Sequence, residues 1–358
     1  MLIEIKKILQ AKTCVKGREI AKIMGKDKKE VNSFLHAHKA DFIQDSKYCW
    51  SLVIPSELKI EFEGNKWVDC NSFENSLEMS GSPLDSKHTS IYFEVAEKCN
   101  ILLDASARFL AICNQLVHIG KKVTIDFNNC KSTLSFFDRI GFLEHLHEDV
   151  MVLPKRKTVS KALINKGNSE SMVEFGALNP EQAEKELVNQ LTNRFVQQSG
   201  SRYETAAFTV FSELIGNVSE HSGTKLHGFA ALQKYEGRRK HIQTVISDSG
   251  LGIAETLKPS LLTHHPSLYK LRSNDDFDMQ LVTAVLTKGE ISRFGSGRGL
   301  GFKSSRTQAA KFDARLSVRQ ENFSLNLEYK DGKISSIESR TSLSKILGTH
   351  ICFDFFVD

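Results

Sequence analysis

Residues 294–303 read Phe-Gly-Ser-Gly-Arg-Gly-Leu-Gly-Phe-Lys, with glycine at 295, 297, 299 and 301. No other stretch limits the fold more. Glycine at every second position weakens helix and strand alike, because each one adds backbone entropy and removes a side chain that could pack. The stretch is therefore a loop, and a helix is expected to follow it. Exposed N–H groups on such a loop, backed by a helix N-terminus, can wrap phosphate oxygens. It is not a Walker A loop, since no Gly-Lys-Ser/Thr follows.

Three other elements carry chemistry that suits such a loop. Residues 208–222 place Phe208, Phe211, Leu214, Ile215 and Val218 at helical spacing. Glu213 and Asn217 are four apart and share one helix face. A carboxylate there can orient or deprotonate a water or a hydroxyl. An amide oxygen one turn on can ligate Mg²⁺ without adding negative charge beside phosphates. The same pair also suits a plain solvated face. Residues 241–253, His-Ile-Gln-Thr-Val-Ile-Ser-Asp-Ser-Gly-Leu-Gly-Ile, read as a strand ending at Asp248. An aspartate at a strand end can accept a hydrogen bond from the exocyclic amine of adenine. Gly250 and Gly252 let backbone approach a base, although an ordinary Asp-Gly turn has the same letters. The last element, Gly348-Thr-His-Ile-Cys-Phe-Asp-Phe355, is an alternating strand.

In this order the four elements resemble the GHKL superfamily, the gyrase, heat-shock chaperone, histidine kinase and MutL ATPases. The resemblance covers residues 175–358. The 213–217 helix is similar to the N box, Asp248–Ile253 to the G1 box, Gly295–Gly301 to the G2 box, and Gly348-Thr349 to the last-strand threonine. It implies an ATP site with Mg²⁺. Glu213 would be the general base, Asn217 the Mg²⁺ ligand, and Asp248 the adenine contact supported by Thr349. Gly250 and Gly252 would shape the base pocket, Gly297, Gly299, Leu300 and Gly301 would hold phosphates, and Ile253 and Gly295 would line the ATP site; Arg298, inside the loop, would either touch phosphate or stand exposed. Residues 254–294 would form an ATP lid, and 166–358 a two-layer α/β sandwich of the Bergerat type.

The branch of the superfamily is narrowed by what accompanies the site. The resemblance implies that gyrase-like, MutL-like and chaperone members need a following domain that brings a lysine or arginine to the γ-phosphate; with the last strand at residues 348–355, those branches are the less expected ones unless a partner supplies that residue. A sensor histidine kinase needs a two-helix hairpin with a phosphoacceptor histidine. Residues 166–207 have room for one helix, over 180–198, and hold no histidine. The resemblance is then to stand-alone bacterial ATP switches and anti-sigma-factor-type serine kinases.

Residues 89–165 read as a small α/β domain, with a helix over 105–119, a strand over 122–127 and a helix over 133–140. The run from Ile125-Asp126-Phe127 through Ser132-Thr133 to Arg139-Ile140-Gly141-Phe142 loosely resembles STAS domains, the phosphorylatable partners of such kinases. Ser132 or Thr133 is then either a phosphate acceptor or a plain helix cap. Residues 56–88, turn-rich at Gly64-Asn65-Lys66 and Ser80-Gly81-Ser82-Pro83, read as a connector.

Residues 1–55 read as three short helices and a strand hairpin, the outline of a winged helix-turn-helix. Asp27 caps the third helix with Glu30 three residues on, and Gly25 stops the second. The stretch Lys28-Lys29-Glu-Val-Asn32-Ser-Phe-Leu-His36, followed by Trp50, resembles the Z-alpha family, which binds left-handed duplex through this helix and wing. Lys28, Lys29, Asn32, His36 and Trp50 are the implied nucleic-acid contacts, with Trp50 packing near the helix and offering an aromatic surface. His36 stands where that family has a tyrosine, and no Pro-Pro pair precedes Trp50, so B-form DNA is the other candidate. Residues 1–50 hold eleven Lys/Arg against six Asp/Glu, which accounts for the whole net charge of +5. A local basic excess suits a nucleic-acid partner or simple solubility.

No run of about eighteen apolar residues suggests a membrane span. The first residues lack a signal-peptide core. The seven cysteines are odd in number and never spaced CxxC, which argues against a disulfide framework or a zinc site. The expectation is a cytoplasmic α+β multidomain protein, an ATP/Mg²⁺-binding regulator that acts as a slow ATPase or ATP-gated switch coupled to double-stranded nucleic acid. The alternative is a serine kinase acting on a STAS or anti-sigma-type protein partner. A homodimer is compatible with either.

Overall fold

A computed structural model describes residues 1–12, 14–39, 41–53, 57–156, 160–179, 184–221, 223–237, 239–288 and 313–356. The chain is mixed α+β and divides into two compact units, Met1–Glu57 and Leu58–Asp358.

The first unit holds α1 (Leu2–Ala11), β1 (Val15–Lys16), α2 (Gly17–Met24), α3 (Lys28–Ala37), β2 (Phe42–Gln44) and β3 (Cys49–Leu52). The Asp27 carboxylate caps α3 by accepting from the N–H groups of Lys29 at 2.7 Å and Glu30 at 3.2 Å. The strands form an antiparallel sheet in the order β1-β3-β2, with Val15 opposite Trp50 and Gln44 opposite Trp50 on the other side. Ile5, Leu9, Ile20, Val31, Leu35, Phe42 and Trp50 form its core. Ile3 and Ile23, which share the apolar periodicity of their helices, are exposed.

The second unit begins with β4 (Glu57–Phe62), β5 (Trp67–Val68), α4 (Cys70–Ser80), β6 (Ser90–Val95), β7 (Asn100–Ile101), α5 (Leu103–His118), β8 (Lys122–Asp126), α6 (Lys131–Arg139), α7 (Phe142–His145) and β9 (Met151–Leu153). It continues with α8 (Lys161–Asn165), β10 (Met172–Leu178), α9 (Lys185–Ser199), α10 (Glu204–His221), β11 (Gly228–Tyr235), β12 (His241–Ser247), α11 (Gly252–His264), α12 (Pro266–Tyr269) and α13 (Phe277–Lys288). It closes with β13 (Ala314–Glu321), β14 (Phe323–Lys330), β15 (Lys333–Arg340) and β16 (Ile346–Phe356).

Two sheets organise this unit. The smaller has the order β4-β6-β8-β9, with β6, β8 and β9 parallel, as strand–helix–strand connections require. The larger has the order β10-β11-β12-β16-β13-β14-β15, every neighbouring pair antiparallel. Alternation assigns its two faces. Ala230, Leu232, Ile242, Ile246, Phe353 and Phe355 pack with α9, α10, α11 and α13. Phe229, Ala231, Val245 and Cys352, from the intervening positions, share a core with α5 and the smaller sheet. The sheet is thus covered on both faces, by the helices of residues 185–288 on one and by α5 and the smaller sheet on the other. Helix α5 is buried all along Leu103–Leu116, as a helix enclosed on every side must be.

The segment read as a connector is different in the structure. Leu58-Lys-Ile-Glu-Phe62 lies in an edge strand, and Asp69 caps α4 by accepting from Ser72 N–H at 2.8 Å. Phe62, Phe73 and Leu77 are fully buried. The bends at residues 64–66 and 82–85 are present, but Phe62 before them and Val68, Phe73 and Leu77 between them belong to the core.

Candidate functional site

Strand β12 delivers Asp248 to the mouth of the larger sheet, beside the start of β16. The Asp248 N–H donates to the Thr349 carbonyl at 2.9 Å, and the Gly250 N–H returns to Asp248 Oδ1 at 2.7 Å. The backbone and side chain of Thr349 also favour the ionised Asp248 carboxylate. Burial pushes this carboxyl up to about 6, against the lowering effect of those bonds. The side chain is half-buried, so it can meet a ligand.

A buried glutamine that the sequence reading missed completes this arrangement. Gln320 on β13 donates from Nε2 to Thr349 Oγ1 at 2.8 Å, and its Oε1 accepts from the Ala254 N–H at 3.3 Å. It ties the first turn of α11 to the threonine that holds Asp248. A second glutamine, Gln115 on α5, donates to Ser249 Oγ at 2.8 Å and to the Leu347 carbonyl at 2.9 Å. Its Oε1 accepts from Leu347 N–H at 3.0 Å. One side chain therefore clamps the loop after β12 to the start of β16. Neither glutamine belongs to a local motif. Gln320 stands among Arg315, Ser317, Arg319 and Glu321 in a mostly polar strand, and Gln115 follows Asn114 in α5, so residue type marks out neither one.

Glu213 and Asn217 lie one turn apart on α10 and are both half-buried. The Asn217 Nδ2 is a buried donor with no hydrogen-bond partner among the described residues. An orphaned buried donor is costly unless a ligand satisfies it. A phosphate oxygen is such an acceptor, and Oδ1 of the same amide is the atom a Mg²⁺ would take. The C-terminal end of α10 leads to the Asp248 loop. A Cβ on Gly228 would lie 3.1 Å from Val218, and one on Gly223 would lie 3.0 Å from Leu251. Gly252 opens α11, and Ile253 packs partly buried against the helix-side core. The segment expected as a lid is helical over α11, α12 and α13 up to Lys288. Gly295, Gly297, Arg298, Gly299, Leu300 and Gly301 lie outside the described residues.

In the smaller α/β portion, Thr133 is buried and its hydroxyl donates to the Cys99 carbonyl, while Ser132 is exposed. Thr133 is thus part of the core rather than an acceptor facing solvent. The N-cap of α6 is Cys130, without a side-chain capping bond.

On the first unit, Lys28, Lys29 and His36 are exposed along α3. Asn32 is half-buried and folds over Gly17, where a Cβ would lie 2.0 Å from its Oδ1. Trp50 corrects the sequence expectation. It packs near the helix, with its ring edge-on to His36 at 4.8 Å, but it is only 2% exposed and offers no aromatic surface. It occupies the middle strand of the sheet, whose inner face is the core of the unit. His36 is the ring left in solvent. No helix among the described residues is long and apolar enough to cross a membrane.

No family model matches this chain, and no curated protein matches it in sequence.

Proposed function

We propose that the protein is an ATP- and Mg²⁺-binding regulator of the GHKL type, coupled to double-stranded nucleic acid through a winged helix at residues 1–55. The observation that carries the nucleotide reading is the half-buried Asp248 carboxylate, fixed by Gly250 and Thr349 and backed by Gln320. A carboxylate held this way is a pre-aimed acceptor for the adenine amine. Asn217 supports the same reading, because its donor, without a partner among the described residues, suits a phosphate and its oxygen suits Mg²⁺. Mg²⁺, when bound, would neutralise phosphate charge there. Glu213, one turn away, would orient a water or a hydroxyl. The clamp of Gln115 on the loop after β12 and the start of β16 favours a switch, since any shift of α5 must be felt at Ser249 and Leu347.

Titration calorimetry with Mg·ATP tests the site directly. Asp248→Asn is expected to weaken ATP by 10- to 100-fold, the scale of a lost hydrogen bond to a charged group. ATP affinity of the native chain should also fall about tenfold between pH 7.5 and pH 5, because the acceptor is the ionised form and its carboxyl titrates at about 6. The Asn variant should lose that component of the pH dependence. For stability the sign is opposite. A raised carboxyl favours folding at low pH, and that contribution is lost as pH rises through about 6. Equal ATP affinity in both proteins would remove the adenine role.

Glu213→Ala should leave ATP affinity within a few-fold while lowering phosphate release by a factor of about 10² or more. Unchanged release would end its role as base. Lys28→Ala should weaken duplex binding and reduce the salt slope by about one unit. An unchanged slope would mean that α3 does not touch phosphate.

A further inference from the structure

We propose that Cys14, Asp45 and Cys49 form a site for a borderline-soft divalent cation, Zn²⁺ by chemistry, that fastens the start of β1 to the β2–β3 turn. Sequence spacing hides this site, because no two cysteines stand in a CxxC pair. Antiparallel pairing creates it. Lys16 lies opposite Cys49, and Val15 opposite Trp50, so Cys14 comes in diagonally on the same side as Cys49. Asp45 arrives from the other arm of the hairpin turn.

One potential ligand atom from each residue lies within 4.8 Å of the other two, and Cys14 Sγ is 3.7 Å from Asp45 Oδ2. Zinc bonds of about 2.3 Å to sulfur and 2.0–2.2 Å to oxygen require tetrahedral edges of about 3.5–3.8 Å. Closing the set therefore needs shifts of about 1 Å or less, in side chains that are exposed or half-buried and free to make them. Nothing in the backbone has to move.

The carboxylate is already aimed. Asp45 Oδ1 accepts from the N–H groups of Lys47 at 2.9 Å and Cys49 at 2.8 Å. Asp45 N–H in turn donates to the Cys49 carbonyl at 2.9 Å. These bonds fix Oδ1 inside the turn and leave Oδ2 toward Cys14. Outer bonds that orient a ligand in this way are what metal sites rely on. Two thiolates and one carboxylate select Zn²⁺ or a similar ion over Mg²⁺ and Ca²⁺, which demand oxygen ligands throughout. Three protein ligands leave a fourth position to water. Binding forms two metal–sulfur bonds and one metal–oxygen bond, and releases the two thiol protons to solvent.

The test uses the full chain, reduced and freed of metal with a chelator. Zn²⁺ is titrated in competition with a chromophoric chelator, and Co²⁺ is used as the spectroscopic probe. The expected result is one equivalent bound, with a thiolate-to-cobalt charge-transfer band of two-sulfur intensity and a rise in the thermal midpoint. Cys14→Ser and Cys49→Ser should each weaken Zn²⁺ at least tenfold and halve the cobalt band. Asp45→Asn should weaken Zn²⁺ while keeping the band. Both cysteine variants alter exposed or half-buried groups, and far-UV circular dichroism checks that they fold. Should either fail to fold, the sulfur count from the cobalt band of the native chain decides alone. Absence of binding, a band without sulfur character, or undiminished affinity in both cysteine variants would overturn the site. So would a Cys14–Cys49 disulfide that survives reductant.

Discussion

Glu74→Ala is expected to destabilise the second unit by about 3–5 kcal/mol, the cost of removing one partner from a buried ion pair. Glu74 is 1% exposed, and it faces two arginines that are buried as deeply. Arg108 donates to its Oε1 at 2.9 Å, and Arg319 reaches Oε1 at 3.0 Å and Oε2 at 3.2 Å. The surplus positive charge is shared between neutral acceptors and the buried Asp104 carboxyl, which also interacts with Arg108. Arg319 also donates to the carbonyls of Glu321 and Ser344, and Arg108 to Ser317 Oγ. Burial lowers the basicity of Arg319, and burial first, then the charges of Arg108 and Arg319, hold His350 well below its ordinary range. Without the carboxylate, two guanidinium ions remain in a dry interior. Urea unfolding followed by far-UV circular dichroism gives the shift. Glu78→Ala is the internal control. Glu78 pairs with Arg340 at 3.2 Å near the surface, and such a pair contributes about 1 kcal/mol or less. Equal effects in the two variants would show that Glu74 is hydrated and that the α4–sheet interface is not closed.

This ion cluster also marks where sequence reading ends. Glu74 and Arg319 are 245 residues apart, so no local pattern can pair them. Gln115 and the two segments it clamps are 134 and 232 residues apart, and the same holds for them. Local signals fared better. The Asp27 cap, the α10 face with Glu213 and Asn217, and the end of β12 at Asp248 were legible because each depends on a few consecutive residues. Residues 56–88 carry two conflicting signals. The turn clusters at Gly64 and Gly81 suit a connector, whereas the alternation of Leu58-Lys-Ile-Glu-Phe62 and the helical spacing of Phe73 and Leu77 suit a buried strand and helix, and the burial follows the second. The second covered face of the large sheet was also visible in principle. Val245 and Ile246 are both apolar, and consecutive apolar residues in a strand mean that both faces are buried. Trp50 could not be placed by type, because tryptophan serves cores and ligand faces alike.

Gly348→Ala should damage the candidate site more than any change to a side chain that touches it. Gly348 has φ +92°, a region that side chains rarely adopt, and a Cβ there would lie 2.0 Å from the Asp248 carbonyl oxygen and 2.7 Å from Ser249 Cα. Both neighbours are backbone, so no rotamer change can relieve the clash. The junction must open instead, and the bond from Asp248 N–H to the Thr349 carbonyl is the one that holds it shut. Backbone strain and overpacking each cost about 1–3 kcal/mol, so the expected loss of stability is about 2–5 kcal/mol. Gly120→Ala separates the two contributions. Gly120 also has positive φ, +83°, but no neighbouring atom lies within 4 Å of its added Cβ, so only the strain of about 1–2 kcal/mol should appear. If Asp248 binds adenine, Gly348→Ala should abolish ATP binding in calorimetry, whereas Gly120→Ala should leave it intact. A large stability loss with unchanged ATP affinity would keep the junction and remove the site from it. Equal stability in Gly348→Ala and the native chain would mean that β12 and β16 do not meet at this glycine, and the geometry that aims Asp248 would go with it.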